Sequence, residues 1–385
     1  MDVAVVYNFA EHPGGGDLVA LDIVEALLKE GYTVSLYTSL PEGIQKALQY
    51  FGKDSKIFED VATKKVEVSK VIKHPYNIYF IMKKALNELK RHDLVIFFDD
   101  IPKPAQELKR VLVYVHYPHA ARIILNELVP YRYCYSLKGK TLWKLHSLFF
   151  NQCFLMNWSK PNILAIVNST LTQNHVIKAL KPMHLTKIYP PVQVEQIIRY
   201  VKQVNTIKED LIAYVGRIQP EKGIDDIIKA LALVKNTSVR ARIMGFLFDK
   251  RCLKHLISLA KSLGVEKRIE IVTNTARETI LESLARAKVL IHPAQYEPFG
   301  IAVVEGMAAS CIPIVRRGPN GPWIDITLQG RYGLGFINVK ELANEIDYTI
   351  EQYKGCEVEA VAKRALGFSE AEFRKNFVKI VNKLI

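Results

Sequence analysis

Short apolar runs alternate with amphipathic stretches along the whole chain, and the alternation restarts once near its middle. Runs rich in Val, Ile, Leu, Phe and Tyr at 3–7, 33–37, 94–98, 111–115 and 163–167 suit strands buried on both faces of a parallel sheet. Between them lie segments of helical period, such as the one carrying Leu18, Leu21 and Leu28. A second series runs at 211–215, 240–244, 269–272, 289–292, 312–315 and 333–337. Tyr189-Pro190-Pro191-Val192 closes the first series and a polar stretch at 203–210 leads into the second. This pattern predicts an α/β protein of two doubly wound domains joined near residue 200. No fixed-period repeat or low-complexity tract interrupts it.

Composition narrows the class. With 385 residues, 49% of them hydrophobic and 24% charged, the chain has material for buried cores, which excludes disordered, fibrous and disulfide-stapled proteins. Cys134, Cys153, Cys252, Cys311 and Cys356 are odd in number and widely spaced, so neither a disulfide framework nor a zinc site is expected. No run of 18 apolar residues occurs, and residues 1–8 look like a strand rather than a leader, so no membrane span or secretion signal is expected and the cytoplasm is the default. The net charge of +14 is unevenly spread: residues 101–200 hold 13 basic against 3 acidic side chains, whereas residues 1–100 hold 12 against 15. Such a stretch suits nucleic acid, anionic lipid or phosphorylated ligands, and charge alone does not choose among them.

Four constellations fall at carboxyl ends of expected strands, where ligands of open α/β sheets bind. His12-Pro13-Gly14-Gly15-Gly16-Asp17 precedes a helix; its glycines allow close backbone approach and the helix amides favour an anion, although a tight turn without a ligand explains it too. Gly216-Arg217-Ile218-Gln219-Pro220-Glu221-Lys222-Gly223 puts two cations beside a helix start near Ile224, an arrangement for a diphosphate. In EPFGIAVVE, Glu297 lies at a helix mouth and Glu305 one to two turns inside, where it could accept hydrogen bonds from vicinal hydroxyls. The amides of Phe299, Gly300 and Ile301 would be donors at that helix start. His116-Tyr117-Pro118 ends a strand, and a histidine so placed faces a ligand crevice or is structural. Gly139-Lys140-Thr141 lacks the glycine and leading strand of a phosphate-binding loop, and Asp99-Asp100 lacks a third ligand, so no metal site is expected.

Together, GRIQPEKG, the two-glutamate stretch, the GGG segment and the HYP tripeptide resemble glycosyltransferase family 4, retaining enzymes of the GT-B fold, from the first strand to the last helix. The resemblance implies two Rossmann-like domains facing a central cleft, residues 1–200 for the acceptor and 201–368 for a nucleotide sugar, with 369–385 crossing back to the first. VHYP and GPNGPWIDI resemble the branch that adds α-1,2-mannose to dolichyl-diphosphate oligosaccharide, although that branch has His where this chain has Pro298. By the resemblance Arg217 and Lys222 would hold the donor diphosphate, Glu305 the ribose, and Glu297 with the amides of Phe299, Gly300 and Ile301 the transferred sugar. His116 would lie beside that sugar, and Gly15 and Gly16 near the phosphates once the domains close. His116, Arg217, Lys222 and Glu297 are thus the expected catalytic residues, with GDP-mannose the first-choice donor and neither metal nor other cofactor required.

The segment 132–160 mixes lysines with Trp143, Phe149, Phe150, Phe154 and Trp158. A helix through 142–158 is too polar to cross a bilayer, and it could lie on an anionic membrane surface or pack as core. On the first alternative, Lys138, Lys140 and Lys144 serve the membrane and a lipid-linked glycan acceptor, and the protein is peripheral at the cytoplasmic face. Rival expectations are a soluble transferase using a UDP- or ADP-sugar and, more remotely, a nucleic-acid-binding protein, which would leave both donor motifs without a role; no nucleic acid partner is expected.

Overall fold

The computed structural model describes every residue apart from 70, 73, 128–136, 354 and 385, and of 137, 138, 355 and 356 the backbone only. Two compact units form, one of Met1–Tyr189 with Phe373–Ile385 and one of Pro190–Glu372. The first holds seven parallel strands, β1 (Asp2–Val6), β2 (Thr33–Thr38), β3 (Ala62–Lys65), β4 (Leu94–Phe98), β5 (Val111–Val115), β6 (Ile163–Val167) and β7 (His184–Lys187), in the order β3-β2-β1-β4-β5-β6-β7. Residues 3 and 5 of β1 enter one core layer and residues 4 and 6 the other, so both faces are covered and the strands are apolar throughout.

The second unit holds six parallel strands, β8 (Glu209–Val215), β9 (Arg240–Gly245), β10 (Ile269–Thr273), β11 (Ala287–His292), β12 (Ile312–Arg316) and β13 (Leu334–Phe336), in the order β10-β9-β8-β11-β12-β13. In both sheets the strand order reverses next to the first strand of the series. The reversal lies between β1 and β4 in one and between β8 and β11 in the other, which opens a crevice at those carboxyl ends.

Several boundaries differ from expectation for local reasons. β3 and β7 have the sequences ATKK and HLTK; as edge strands they need no apolar run. Gly15 and Gly16 belong to the first turn of helix Gly15–Lys29 rather than to a loop, with Gly14 as its cap. The basic-aromatic helix spans Leu137–Cys153, not 142–158, because Leu155 donates its amide to the Ile101 carbonyl and Phe154 bridges Pro102, drawing the chain into an extended path. Residue 200, expected as a domain limit, falls inside helix Val194–Val204, whose Val194 and Ile197 are buried and which packs on helices Arg277–Arg286 and Ile301–Ala308. In the last helix, Glu370–Leu384, Phe373, Phe377 and Val381 enter the core of the first unit, and Arg374 pairs there with the wholly buried Asp22 at 2.7 Å. No helix among the described residues is long and apolar enough to cross a membrane.

Candidate functional site

The second unit's switch point brings both expected motifs together because β8 and β11 are neighbours. After β8 the chain turns through Gly216 and Arg217 into a short helix, Pro220–Lys222, and then helix Ile224–Leu231. Gly223, at φ +66°, makes that turn, and a Cβ there would meet the Pro293 carbonyl at 3.0 Å, so the loops after β8 and β11 are in contact. Gly300, at φ +95°, caps helix Ile301–Ala308 on the other side, and a Cβ on it would meet Pro322 at 2.9 Å and the Glu297 side chain at 3.4 Å. The amides of Gly300 and Ile301 take no hydrogen-bond acceptor among the described residues.

Within this frame Lys222 Nζ lies 2.5 Å from Glu297 Oε2, and His292 Nε2 lies 3.1 Å from the same oxygen. Burial works against the Glu297 charge, but Lys222 and His292 outweigh it and hold the carboxyl far below the ordinary range. His292 is buried and its Nδ1 meets no partner, so Glu297 is the one polar side chain that orients it among the described residues. Arg217 is exposed; its guanidinium stands 5.7 Å from the Phe248 ring centroid and pairs with no acid among the described residues. The buried Tyr214 hydroxyl donates to the Arg217 carbonyl at 3.1 Å, which fixes the backbone below that side chain. Thus one cation is stored against a carboxylate and the other is presented to solvent.

Glu305 sits in the second turn of its helix, buried, with Arg277 Nη1 2.7 Å from its Oε1. Phe299 is buried against Phe368, with ring centroids 5.5 Å apart, so its side chain anchors the helix mouth from below. His292 and Arg277 were not singled out in the sequence. A polar residue closing a buried strand is a usable signal for His292, whereas nothing local marks Arg277, which meets Glu305 from 28 positions away.

In the first unit the switch point gathers Gly16, Tyr7, His116 and Asp99. A Cβ on Gly16 would lie 3.2 Å from the Tyr7 hydroxyl and 3.6 Å from His116 Nε2, so Gly16 and His116 are neighbours, with Gly15 one step earlier on the same turn. His116 Nε2 is buried without a partner. The acids around it serve the backbone: Asp17 accepts from the amides of Ala10 at 2.9 Å and Gly14 at 2.8 Å, and Asp99 from those of His116 at 2.7 Å and Tyr117 at 2.9 Å. Asp100 accepts from His119 at 2.9 Å and Ala120 at 3.0 Å, capping helix His119–Leu125. Burial pushes the Asp17 carboxyl up although those amides and Tyr7 draw it down. No cluster of three or more metal-ligating side chains occurs among the described residues.

Lys140 and Lys144 are exposed on helix Leu137–Cys153, while the Lys138 side chain lies outside the described residues. On that helix Trp143, Phe150 and Cys153 face inward, and Leu142, Leu145, Leu148 and Phe149 are each about half or more exposed, at 48, 57, 65 and 52%. This helix thus has an aromatic core on one side and an apolar and basic surface on the other.

Comparison with known proteins bears out the resemblance. Residues 198–362 match the family described as Glycosyl transferases group 1. A curated relative from Neurospora crassa, GDP-Man:Man(3)GlcNAc(2)-PP-Dol alpha-1,2-mannosyltransferase, is 27% identical over 332 residues, covering 75% of this chain and 57% of that protein. The Dictyostelium discoideum protein of the same description is 27% identical over 301 residues, covering 71% of this chain and 59% of its own. The chain thus spans less than two thirds of the length of these relatives. Among solved structures, sucrose-phosphate synthase from Thermosynechococcus elongatus matches with a TM-score of 0.73 at 15% identity, covering 100% of this chain and 99% of that one. The fold is GT-B, with two Rossmann-like parallel-sheet domains.

Proposed function

We propose that this chain is a retaining hexosyltransferase that moves mannose from GDP-mannose to a lipid-linked, diphosphate-bearing glycan. The observation that carries the reading is the pair of cations at the second switch point, Arg217 open to solvent and Lys222 held 2.5 Å from Glu297, beside unpaired amides at a helix start. A diphosphate entering there meets Arg217 first and then competes with Glu297 for Lys222. As the glycosyl–phosphate bond breaks, both cations offset the charge gathering on the leaving diphosphate, which is where electrostatic catalysis has most to give. The acceptor oxygen bonds to the same face of the anomeric carbon, and its proton passes to the leaving phosphate. Glu297 orients the sugar, with His292 still on its Oε2 once the diphosphate has taken Lys222. Two cations take the place of a metal, so divalent ions are not needed. Mannose and the dolichyl-type acceptor rest on the curated relatives, whose printed activity is this one.

The membrane reading rests on helix Leu137–Cys153: four exposed apolar side chains flanked by Lys140 and Lys144 suit a helix lying in an anionic interface. On this reading the protein is peripheral at the cytoplasmic face, with nucleotide sugar, lipid-linked glycan and anionic membrane as partners and nucleic acid as none.

Calorimetry with GDP, UDP, ADP and their sugar conjugates, with and without magnesium, tests the donor. Metal-independent, selective binding of GDP and GDP-mannose is expected. Preference for UDP or ADP moves the function to another sugar, and no nucleotide binding overturns the reading. Sedimentation with anionic liposomes tests the membrane part, which fails if Leu145→Asp with Leu148→Asp leaves binding unchanged.

A further inference from the structure

A carboxylate that reads ribose hydroxyls needs a fixed direction and a fixed charge, and Glu305 receives both from one source. It is buried on helix Ile301–Ala308, and among the described residues its one charged partner is Arg277, at 2.7 Å between Nη1 and Oε1. Both side chains are about nine-tenths buried, 10% and 9% exposed. A buried charge is tolerated when it is paired and becomes costly when its partner is removed, so the two side chains fix one another. Only Oε1 is engaged; no described residue donates to Oε2.

The origin of Arg277 makes the pair more than a brace. It is the first residue of helix Arg277–Arg286 and follows β10 after a three-residue link. That link is tied down: Asn274 stands at φ +55° and donates its amide to the Gly245 carbonyl at 2.7 Å. The Thr275 hydroxyl accepts from Gly245 at 3.1 Å and donates to Val272 at 2.7 Å. Arg277 therefore connects a rigid loop at the carboxyl end of β10 to an acid on the helix after β11, across the strand order of the sheet.

We infer that Arg277 is the positioning residue of a ribose-reading carboxylate: it occupies Glu305 Oε1 so that Oε2 is left aimed at a hydroxyl of the bound nucleotide. The inference rests on the donor site proposed above, and it concerns discrimination of ribose rather than the chemistry of transfer. A guanidinium is suited to the task because it stays charged when buried and here meets Oε1 through one nitrogen, leaving Oε2 to a ligand. A purely structural ion pair would affect folding and leave ligand selectivity untouched.

The test is calorimetric, with GDP and UDP each set beside its 2′-deoxy and 3′-deoxy forms. The wild-type chain should bind the ribo form of its preferred diphosphate at least tenfold more tightly than one deoxy form. Arg277→Met should collapse that ratio towards one while changing the deoxy affinity far less, and Arg277→Lys should keep only part of it. Should Arg277→Met unfold, Arg277→Lys, which keeps a charge beside Glu305, carries the test, and a wild-type ratio in that variant overturns the inference. An unchanged ratio in a folded Arg277 variant overturns the inference and leaves the donor site standing. If the wild-type chain binds none of GDP, UDP and ADP, the donor site itself falls, and this inference with it.

Discussion

At the first unit's switch point Asp17, Asp99 and Asp100 all accept from backbone amides, with the Tyr7 hydroxyl and His119 Nδ1 as further contacts at 3.3 Å, whereas at the second unit's Glu297 and Glu305 pair with the side chains of Lys222, His292 and Arg277. The two sites occupy the same place in sheets whose first six strands follow the same relative order, so the contrast lies in the partners. A carboxylate bonded to amides is locked to the path of the chain and cannot let go without local unfolding. One bonded to a lysine can exchange that partner for a phosphate by rotating a few side-chain bonds. The first arrangement builds walls, and it leaves His116 Nε2 as the unpartnered polar atom among them. The second stores charge that a ligand can draw on.

The largest effect should come from breaking the exchangeable pair. Lys222→Ala removes a cation from the diphosphate and strands a buried carboxylate, so turnover should fall by about two orders of magnitude or more. The unfolding free energy should fall as well, by about 3 kcal/mol. Adding Glu297→Gln should return most of the stability and none of the turnover, a split that separates stored charge from bracing. Arg217→Ala should cost a similar factor in turnover with no measurable change in melting temperature, because Arg217 is exposed and braces nothing. Equal turnover in both variants and wild type would remove the contrast.

The wall side of the comparison is tested by Asp100→Ala. Two helix-end amides, of His119 and Ala120, lose their acceptor, and the expected cost is about 1–3 kcal/mol of stability. Calorimetric affinity for the nucleoside diphosphate should not change. A loss of affinity at constant stability would mean that this acid belongs to a binding site after all.

How far this contrast was legible in the sequence follows from its physics. Residues 94–98, 111–115 and 163–167 match β4, β5 and β6 to the residue, because strands buried on both faces leave unbroken apolar runs. β3 and β7, whose outer edges take no further strand, carry no such mark. Lys222 and Glu297 could each be singled out in advance, because each lies in the loop region that follows an apolar strand, β8 or β11, although nothing paired them with one another. The Arg277–Glu305 pair could not be foreseen either, because a contact between residues on different helices depends on strand order, which no local pattern encodes. The acids at 99 and 100 were visible, but whether they bind a metal or the backbone depends on Asp99 standing at φ +63°, a property of the folded turn.

The smallest expected effect lies where the first unit pairs a carboxylate with lysine and arginine, away from its switch point. Glu25 takes Lys29 at 2.7 Å, Lys53 at 2.8 Å and Arg374 of the last helix at 3.1 Å. Burial raises its carboxyl, but these cations prevail and lower it from 4.5 to about 2. A carboxyl depressed in the folded state contributes stability in full above its unfolded value and loses it as pH falls through the folded one, so the window runs from about 4.5 down to about 2. Because the cations are shared with Asp22 and Lys29 is half exposed, about 1–2 kcal/mol is expected rather than the full converted shift. Melting temperature measured across that window should fall more steeply for the wild type than for Glu25→Gln. The two curves should converge at the acid end, where Glu25 is protonated in both states. Parallel curves would mean that Arg374 holds the last helix through Asp22 alone, and that even the exchangeable kind of pair is, in this unit, only a wall.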